Sequence, residues 1–298
     1  MEWREFETDE VLGAAAAALI ADGIESAAAP HPKSRPAIST SPQGRGGPIA
    51  NSDPRLRGDR LSSPTRERYV LGCPAGRSPM STYRALAEEV SKRALDLSRV
   101  HLVLMDEFVV RDGDGWRLCD EGAHYSCRGF AMREIRARLN RGLVPGRALP
   151  ADNLHVPDPA KPEAFEVLIE RLGGVDLFLL ASGSSDGHVA FNPPGTELSS
   201  RTRIVKLAEE TRADNLSTFP EFGHLDAVPT HGVSVGLGTI VDHSRAALLV
   251  CPGAGKTRSV ARLKALQRFD ASWPASAIFA CANARIFFDA AAASAVEH

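Results

Sequence analysis

The 298-residue sequence holds only five cysteines, Cys73, Cys119, Cys127, Cys251 and Cys281, with no C-x-x-C pair and no close, even spacing. Neither a disulfide framework nor a zinc site is suggested; the thiols read as small buried apolar groups in a reducing compartment. No window of eighteen uninterrupted apolar residues occurs, so no transmembrane helix is expected. The Ala14–Ala18 run lacks the basic start of a secretion signal, because Glu2, Glu5, Glu7, Asp9 and Glu10 precede it against Arg4 alone. The cytoplasm is the expected location. Charge of one sign is missing too: 35 Lys and Arg face 37 Asp and Glu, for a net charge of −2. Neither nucleic acid nor a membrane is therefore an expected partner, and any anionic ligand must be caught locally.

What is present is ordinary for a globular chain, 43% hydrophobic and 24% charged. An Ala-rich helix is predicted over Glu7–Ile24. From Ser26 to Glu67 the composition breaks, with seven prolines and no aromatic residue. Such a stretch buries too little apolar area to offset its ordering entropy, so 26–67 reads as a flexible insertion in a single domain spanning 1–298. Afterwards strands and helices alternate. Strands are predicted at Arg68–Cys73, His101–Met105, Val175–Ala181, Ala246–Cys251 and Ala277–Ala280. Helices are predicted at Pro79–Leu97, Tyr125–Leu139 and from Lys256. This is an α/β pattern, a mostly parallel sheet with helices on both faces, which binds ligands at the carboxyl ends of its strands.

Three segments at such strand ends carry chemistry. In Pro74-Ala75-Gly76-Arg77-Ser78-Pro79, Ser78 reads as an N-cap and Pro79 as the first helical residue, so free amides could converge on a phosphate; a plain tight turn is the alternative. Asp106 and Glu107 follow the His101–Met105 strand, where a base shielded from water could have its pKa lifted toward neutrality. The richest stretch runs from Gly183 to Gly195 and contains Asp186-Gly187-His188, in which an acid two residues from an imidazole can orient it. Two lures fail. Gly183-x-Ser185-x-Gly187 imitates a nucleophile elbow, but Pro193-Pro194 limits the helix such a turn needs to a couple of turns. Gly253-Ala254-Gly255-Lys256-Thr257 imitates a P-loop whose first glycine would have to stand at Val250. A lysine on a tight turn survives, fit to hold one phosphate as a point charge.

Taken together, Met105-Asp106-Glu107, Asp186 to Asn192, Ser200-Arg201-Thr202-Arg203-Ile204, Val235 to Ile240 and Gly253-x-x-Lys256 resemble, in order, the glucosamine-6-phosphate deaminase/isomerase family, itself similar to 6-phosphogluconolactonases. The resemblance spans Tyr69 to about Val260. It implies a three-layer αβα, Rossmann-like fold, no cofactor, no metal, and a phosphosugar bound through Ala75, Gly76, Arg77, Ser78 and Lys256. It further implies Asp106 as the base moving a proton between C2 and C1, His188 oriented by Asp186 as the ring-opening group, and Glu107, Gly187, Asn192 and Arg203 as substrate contacts. Phe191-Asn192 follows the deaminase branch, since lactonases continue differently after Asp-Gly-His.

Two departures stand out. Pro193 occupies the position where deaminases of the best-known type carry a Glu coupled to the ring-opening His, leaving Glu197 and Glu107 as candidates to stand in. Ser217 falls where a phosphate-binding Arg is found. The expected activity is an amino-sugar-6-phosphate deaminase, with a lactonase or a non-catalytic phosphosugar-binding regulator as alternatives and homo-oligomerisation left open.

Overall fold

A computed structural model describes residues 1–28 and 68–294. Its elements in chain order are β1 (Glu2–Phe6), α1 (Asp9–Ala28), β2 (Tyr69–Cys73), α2 (Met80–Lys92), β3 (Val100–Leu104), β4 (Asp106–Asp112), β5 (Gly115–Leu118), α3 (Cys127–Phe130), α4 (Ala137–Leu139) and β6 (Leu154–His155). Then follow α5 (Ala164–Arg171), β7 (Leu177–Ala181), β8 (Arg203–Lys206), α6 (Glu209–Thr218), β9 (His231–Ser234), α7 (Leu237–His243), β10 (Ala247–Cys251), α8 (Thr257–Leu266), β11 (Ala284–Asp289) and α9 (Ala290–Ala293). Seven strands form one parallel sheet in the order β1-β11-β10-β7-β2-β3-β6.

Strand residues alternate between two cores, because successive side chains point to opposite faces. Leu71, Leu102, Leu104, Leu177, Leu179, Leu248, Val250 and Phe287 meet Leu12, Ile20, Tyr83, Leu86 and Ile135 on one face. Val70, Val103, Phe178, Leu180, Leu249 and Ile286 meet Phe165, Ile169, Leu237, Ile240, Val260 and Leu263 on the other. The result is the expected three-layer αβα arrangement. By length and composition α1 could cross a membrane, but its Leu12, Gly13, Ala16, Ala17, Ile20, Ala21 and Ile24 are buried in the first core.

Several expectations need correction. Helix α1 runs on to Ala28, so residues 26–28 of the segment expected as a flexible insertion are helical, and 29–67 lie outside the described residues. Pro274–Ala280 is a 3₁₀ turn with Pro at its start, not a strand. The last strand is β11, whose Ile286, Phe287 and Phe288 supply bulk to both cores where Ala277 and Ala280 could not. Edge strand β1 was missed because Glu2, Arg4 and Glu5 face solvent. A second, antiparallel sheet, β5-β4-β9-β8, was also unforeseen. The predicted 125–139 helix is interrupted by a π-helical stretch at Ala131–Arg136 between α3 and α4.

Chain order reverses between β2 and β7: β3 and β6 continue to one side, β10 and β11 to the other. A crevice at such a switch point lies outside the carboxyl ends of the strands. Here the ends of β3, β2, β7 and β10 lie in that order around it.

Candidate active site

Each of those four strand ends delivers one part of a cleft of about 440 Å³. Behind β2, the Pro74–Pro79 loop turns back on an Arg77 carbonyl that accepts from the Met80 amide at 3.1 Å. The Tyr83 hydroxyl donates to the Pro74 carbonyl at 2.7 Å and pins the loop to α2. Ala75, Gly76, Arg77 and Ser78 all line the cleft. Ser78 is not the helix cap, however. Helix α2 begins at Met80, Pro79 holds the cap position, and no side chain caps it, so the Ser78 hydroxyl sits in the preceding turn on the cleft wall.

Past β3, the chain crosses at Asp106 into the small sheet, where Asp106 pairs with Ser234. The Asp106 carboxyl lies on the cleft wall and is only 8% exposed. Burial pushes its pKa up to about 7, with the neighbouring Glu107 adding to the rise and the Cys127 thiol and His188 opposing it. The thiol of Cys127 donates to Asp106 Oδ1 at 3.4 Å.

After β7 comes the Ser182–Asn192 loop. Asp186 Oδ1 meets His188 Nδ1 at 2.7 Å and accepts the His188 amide at 3.0 Å. Thr211 of α6 donates to Asp186 Oδ2 at 3.2 Å and lies 3.3 Å from Nδ1. Burial would raise the Asp186 carboxyl, but hydrogen bonds from His188 and Thr211 outweigh it and hold the group below its usual value. An ionised Asp186 fixes the proton on Nδ1 and leaves the Nε2 lone pair for chemistry.

Beyond β10, the Gly253 amide donates to both Asp289 oxygens at 3.0 and 2.8 Å. Asp289 also caps α9 through the Ala292 amide at 2.8 Å. This clamp sets the one-turn Ala254–Lys256 segment, from which Lys256 reaches across to the Ser182 carbonyl at 2.5 Å and Ser184 Oγ at 3.2 Å. Burial lowers the Lys256 pKa, and the nearby Asp214 partly restores it.

The structure thus brings Asp106, His188, Ala75, Gly76, Arg77, Ser78 and Lys256 to one cleft, with Asp186 behind His188. Four expected substrate contacts are elsewhere. Glu107 is 1% exposed and saturated: the amides of Phe108, Cys127 and Arg128 and the Ser126 hydroxyl donate to it within 2.9 Å. It anchors the start of α3 to β4. Asn192 is fully buried, stapling Val189 to Val235 through its amide nitrogen while its oxygen accepts from Arg203 at 3.0 Å. Gly187, at φ +71°, has no room for a side chain against the Trp273 ring and shapes the loop.

Neither candidate stand-in for the missing Glu reaches His188. Glu107 is committed, and Glu197 is exposed beside Ser199. The carboxylate that does approach is Asp214 of α6: ligand atoms of Asp186, His188 and Asp214 lie within 4.8 Å of one another. They could hold a metal ion between them, although Nδ1 is already committed to Asp186. Asp214 Oδ2 accepts from the Ser184 amide and the Ser185 hydroxyl at 3.1 and 3.2 Å. That bond ties Ser185 to α6, and no helix follows Ser185 as an elbow requires. Thr211 and Asp214, three residues apart on one helix face, thus both lie against the Asp186–His188 pair, a placement that no motif in the sequence signals.

Comparison with known proteins identifies the family and the fold. The sequence profile described as glucosamine-6-phosphate isomerases/6-phosphogluconolactonase matches residues 61–288. A glucosamine-6-phosphate deaminase of Pseudarthrobacter chlorophenolicus is 37% identical over 245 residues, 82% of this chain and 88% of that one. Another, from Bifidobacterium longum subsp. infantis, is 36% identical over 77% of this chain and 82% of that one. Among solved structures, a monomeric glucosamine-6-phosphate deaminase superposes with a TM-score of 0.74 at 24% identity over 98% of this chain and 99% of that one. The 6-phosphogluconolactonase of Shewanella baltica OS155 gives 0.61 at 14% identity over 97% and 98% of the respective chains. Matched over most of its length by that profile and by relatives above 30% identity, the chain belongs to the glucosamine-6-phosphate isomerase/6-phosphogluconolactonase family.

Proposed function

We propose that this protein is an amino-sugar-6-phosphate deaminase, converting the 2-amino aldose phosphate to a ketose phosphate with release of ammonia. The observation that carries this reading is the pairing, in one cleft, of a shielded carboxyl poised near neutrality with an oriented imidazole and a lysine-bearing anion end. His188 Nε2 takes the proton of the anomeric hydroxyl as the ring opens and returns one to the ring oxygen. Asp106 then removes the C2 proton of the open-chain aldehyde; the electron pair forms the C1–C2 double bond while the carbonyl electrons move to O1, which takes a proton from water, giving the enolamine. Reprotonation at C1 gives a C2 imine; water adds at C2 and the C–N bond breaks, leaving the ketone and ammonia. Proton transfer at carbon is suited to a base whose pKa lies near the working pH.

The anion end supports a phosphorylated substrate. Lys256, Arg77 and the loop residues Pro74 to Ser78 all line the cleft, Lys256 and Arg77 lie close enough to feel each other's charge, and a dianion there would meet a charge-assisted donor. Replacing Lys256 with Met is expected to raise KM for the phosphosugar by about 10- to 100-fold, the loss of one such hydrogen bond, with a smaller change in kcat. An unchanged KM would assign Lys256 to the loop alone.

The reading itself is tested by offering glucosamine-6-phosphate, galactosamine-6-phosphate and 6-phosphogluconolactone while following ammonia release, lactone loss and thermal shift. Ammonia release from an amino sugar is the expected result. Lactone hydrolysis alone would place the activity with the lactonases, with His188 activating water. A thermal shift without turnover would leave a phosphosugar sensor.

A further inference from the structure

We propose that Cys127 is a positioning residue for the base, its S–H group donating to Asp106 and favouring the ionised carboxylate inside the cleft. The inference rests on Asp106 acting as the base, as argued above.

The local sequence builds this contact with little freedom. Ser126 caps α3 by accepting the Gly129 amide at 3.0 Å, and Glu107 of β4 accepts the Cys127 amide at 2.9 Å. The first turn of α3 is therefore fastened to the strand that starts at Asp106, and the Cys127 side chain projects onto Asp106 Oδ1 at 3.4 Å. Both residues line the cleft and both are buried. Among the described residues, this is the side-chain hydrogen bond that Asp106 receives.

The other groups facing Asp106 do not substitute for it. Glu107, next along β4, raises the Asp106 pKa, and His188 on the loop after β7 lowers it. From β2 and α2, Cys73 and Tyr83 both feel the Asp106 charge. Tyr83 has its proton committed to the Pro74 carbonyl. Burial keeps the Cys127 thiol protonated well above its ordinary range, so the donor persists at every working pH. A thiol is a weak donor. It steadies the charged form of a buried acid without weakening the base as much as a hydroxyl or an amide would.

The test compares wild type with Cys127→Ala and Cys127→Ser. Two readouts are used: the pH dependence of kcat/KM for ammonia release, and a substrate-free ¹³C-carboxyl NMR titration of Asp106, assigned by its loss in Asp106→Asn. For Cys127→Ala the acid limb and the NMR midpoint should both move up by about half to one pH unit. That shift lowers kcat/KM near pH 6 by about three- to ten-fold and has less effect above pH 8. Cys127→Ser, with a stronger donor, should move the midpoint to or below the wild-type value. It also provides the measurement if the alanine variant does not fold. A uniform loss at all pH values with unmoved midpoints would show that Cys127 only fills space, and would overturn the proposal. Because the titration needs no substrate, a protein that turns over no sugar phosphate still reports on the thiol. Failure of the deaminase reading and failure of this inference are thus separate results.

Discussion

Asp106→Asn is expected to lower kcat for ammonia release by about 10²–10⁴-fold while raising the melting temperature at pH 8. The first effect follows from removing a general base whose carboxyl sits on the cleft wall with His188. The second follows from where that carboxyl is kept. A group 8% exposed, with its pKa raised by burial to about 7, binds its proton more tightly in the folded chain than in the unfolded one, where the value is near 4. Its contribution to stability is fully present below about pH 4 and is lost as pH rises through 7, at a cost on the order of 4 kcal/mol at most. A neutral carboxamide has no such dependence. Relative to the variant, the wild type should therefore lose stability between pH 4 and 8, as equilibrium unfolding in urea at a series of pH values would show. In the same pH range the wild-type kcat/KM should rise through about pH 7, because the base works only when ionised. Activity and stability would then run in opposite directions across one titration. A variant that retains activity within tenfold would remove Asp106 from the role of base.

β7 was legible because Leu177-Phe178-Leu179-Leu180-Ala181 is apolar on both faces, and both faces are covered. The small sheet was not, since β8 and β9 are short and mixed in character. One signal for it was available: Asp112-Gly113-Asp114-Gly115 joins β4 to β5 as a tight hairpin. In the site, Asp106, His188 and Lys256 were accessible because reactive side chains on strand-end loops have few structural reasons to be there. Glu107 faces away from the cleft for a reason of geometry. It follows Asp106 along the same strand, so the two side chains point to opposite faces: one meets the cleft, the other the amides of α3. Asn192 and Arg203 are polar groups spent on each other and on loop carbonyls, a use that adjacency to His188 does not reveal. Thr211 and Asp214 depend on how α6 docks, which nothing in its own ten residues specifies.

Gly183→Ala is expected to lower kcat by about 10²-fold or more, although no catalytic atom is removed. A methyl group at this position would lie 2.2 Å from His188 Nδ1, 2.4 Å from its Cε1 and 2.7 Å from Asp186 Oδ1, distances no packed structure tolerates. The pair cannot simply lean away. Asp186 is held by Thr211 and by the His188 amide, and the Gly183 amide itself donates to the His188 carbonyl at 2.7 Å. Relief requires either breaking the Nδ1 hydrogen bond or moving the imidazole, and a displacement on the order of 1 Å is enough to cost two orders of magnitude in rate. Overpacking would also cost about 1–3 kcal/mol of stability, so a control must separate the two effects. Gly195→Ala serves, because that glycine sits at φ +89° with nothing within 4 Å of its missing side chain. It should lose about 1–2 kcal/mol through backbone strain alone while its kcat stays close to that of the wild type. Both variants would then be comparably destabilised in urea, but only Gly183→Ala would lose turnover. Retention of wild-type kcat by Gly183→Ala would mean that the placement of His188 by Asp186 does not limit the reaction, and ring opening would have to be assigned to another group.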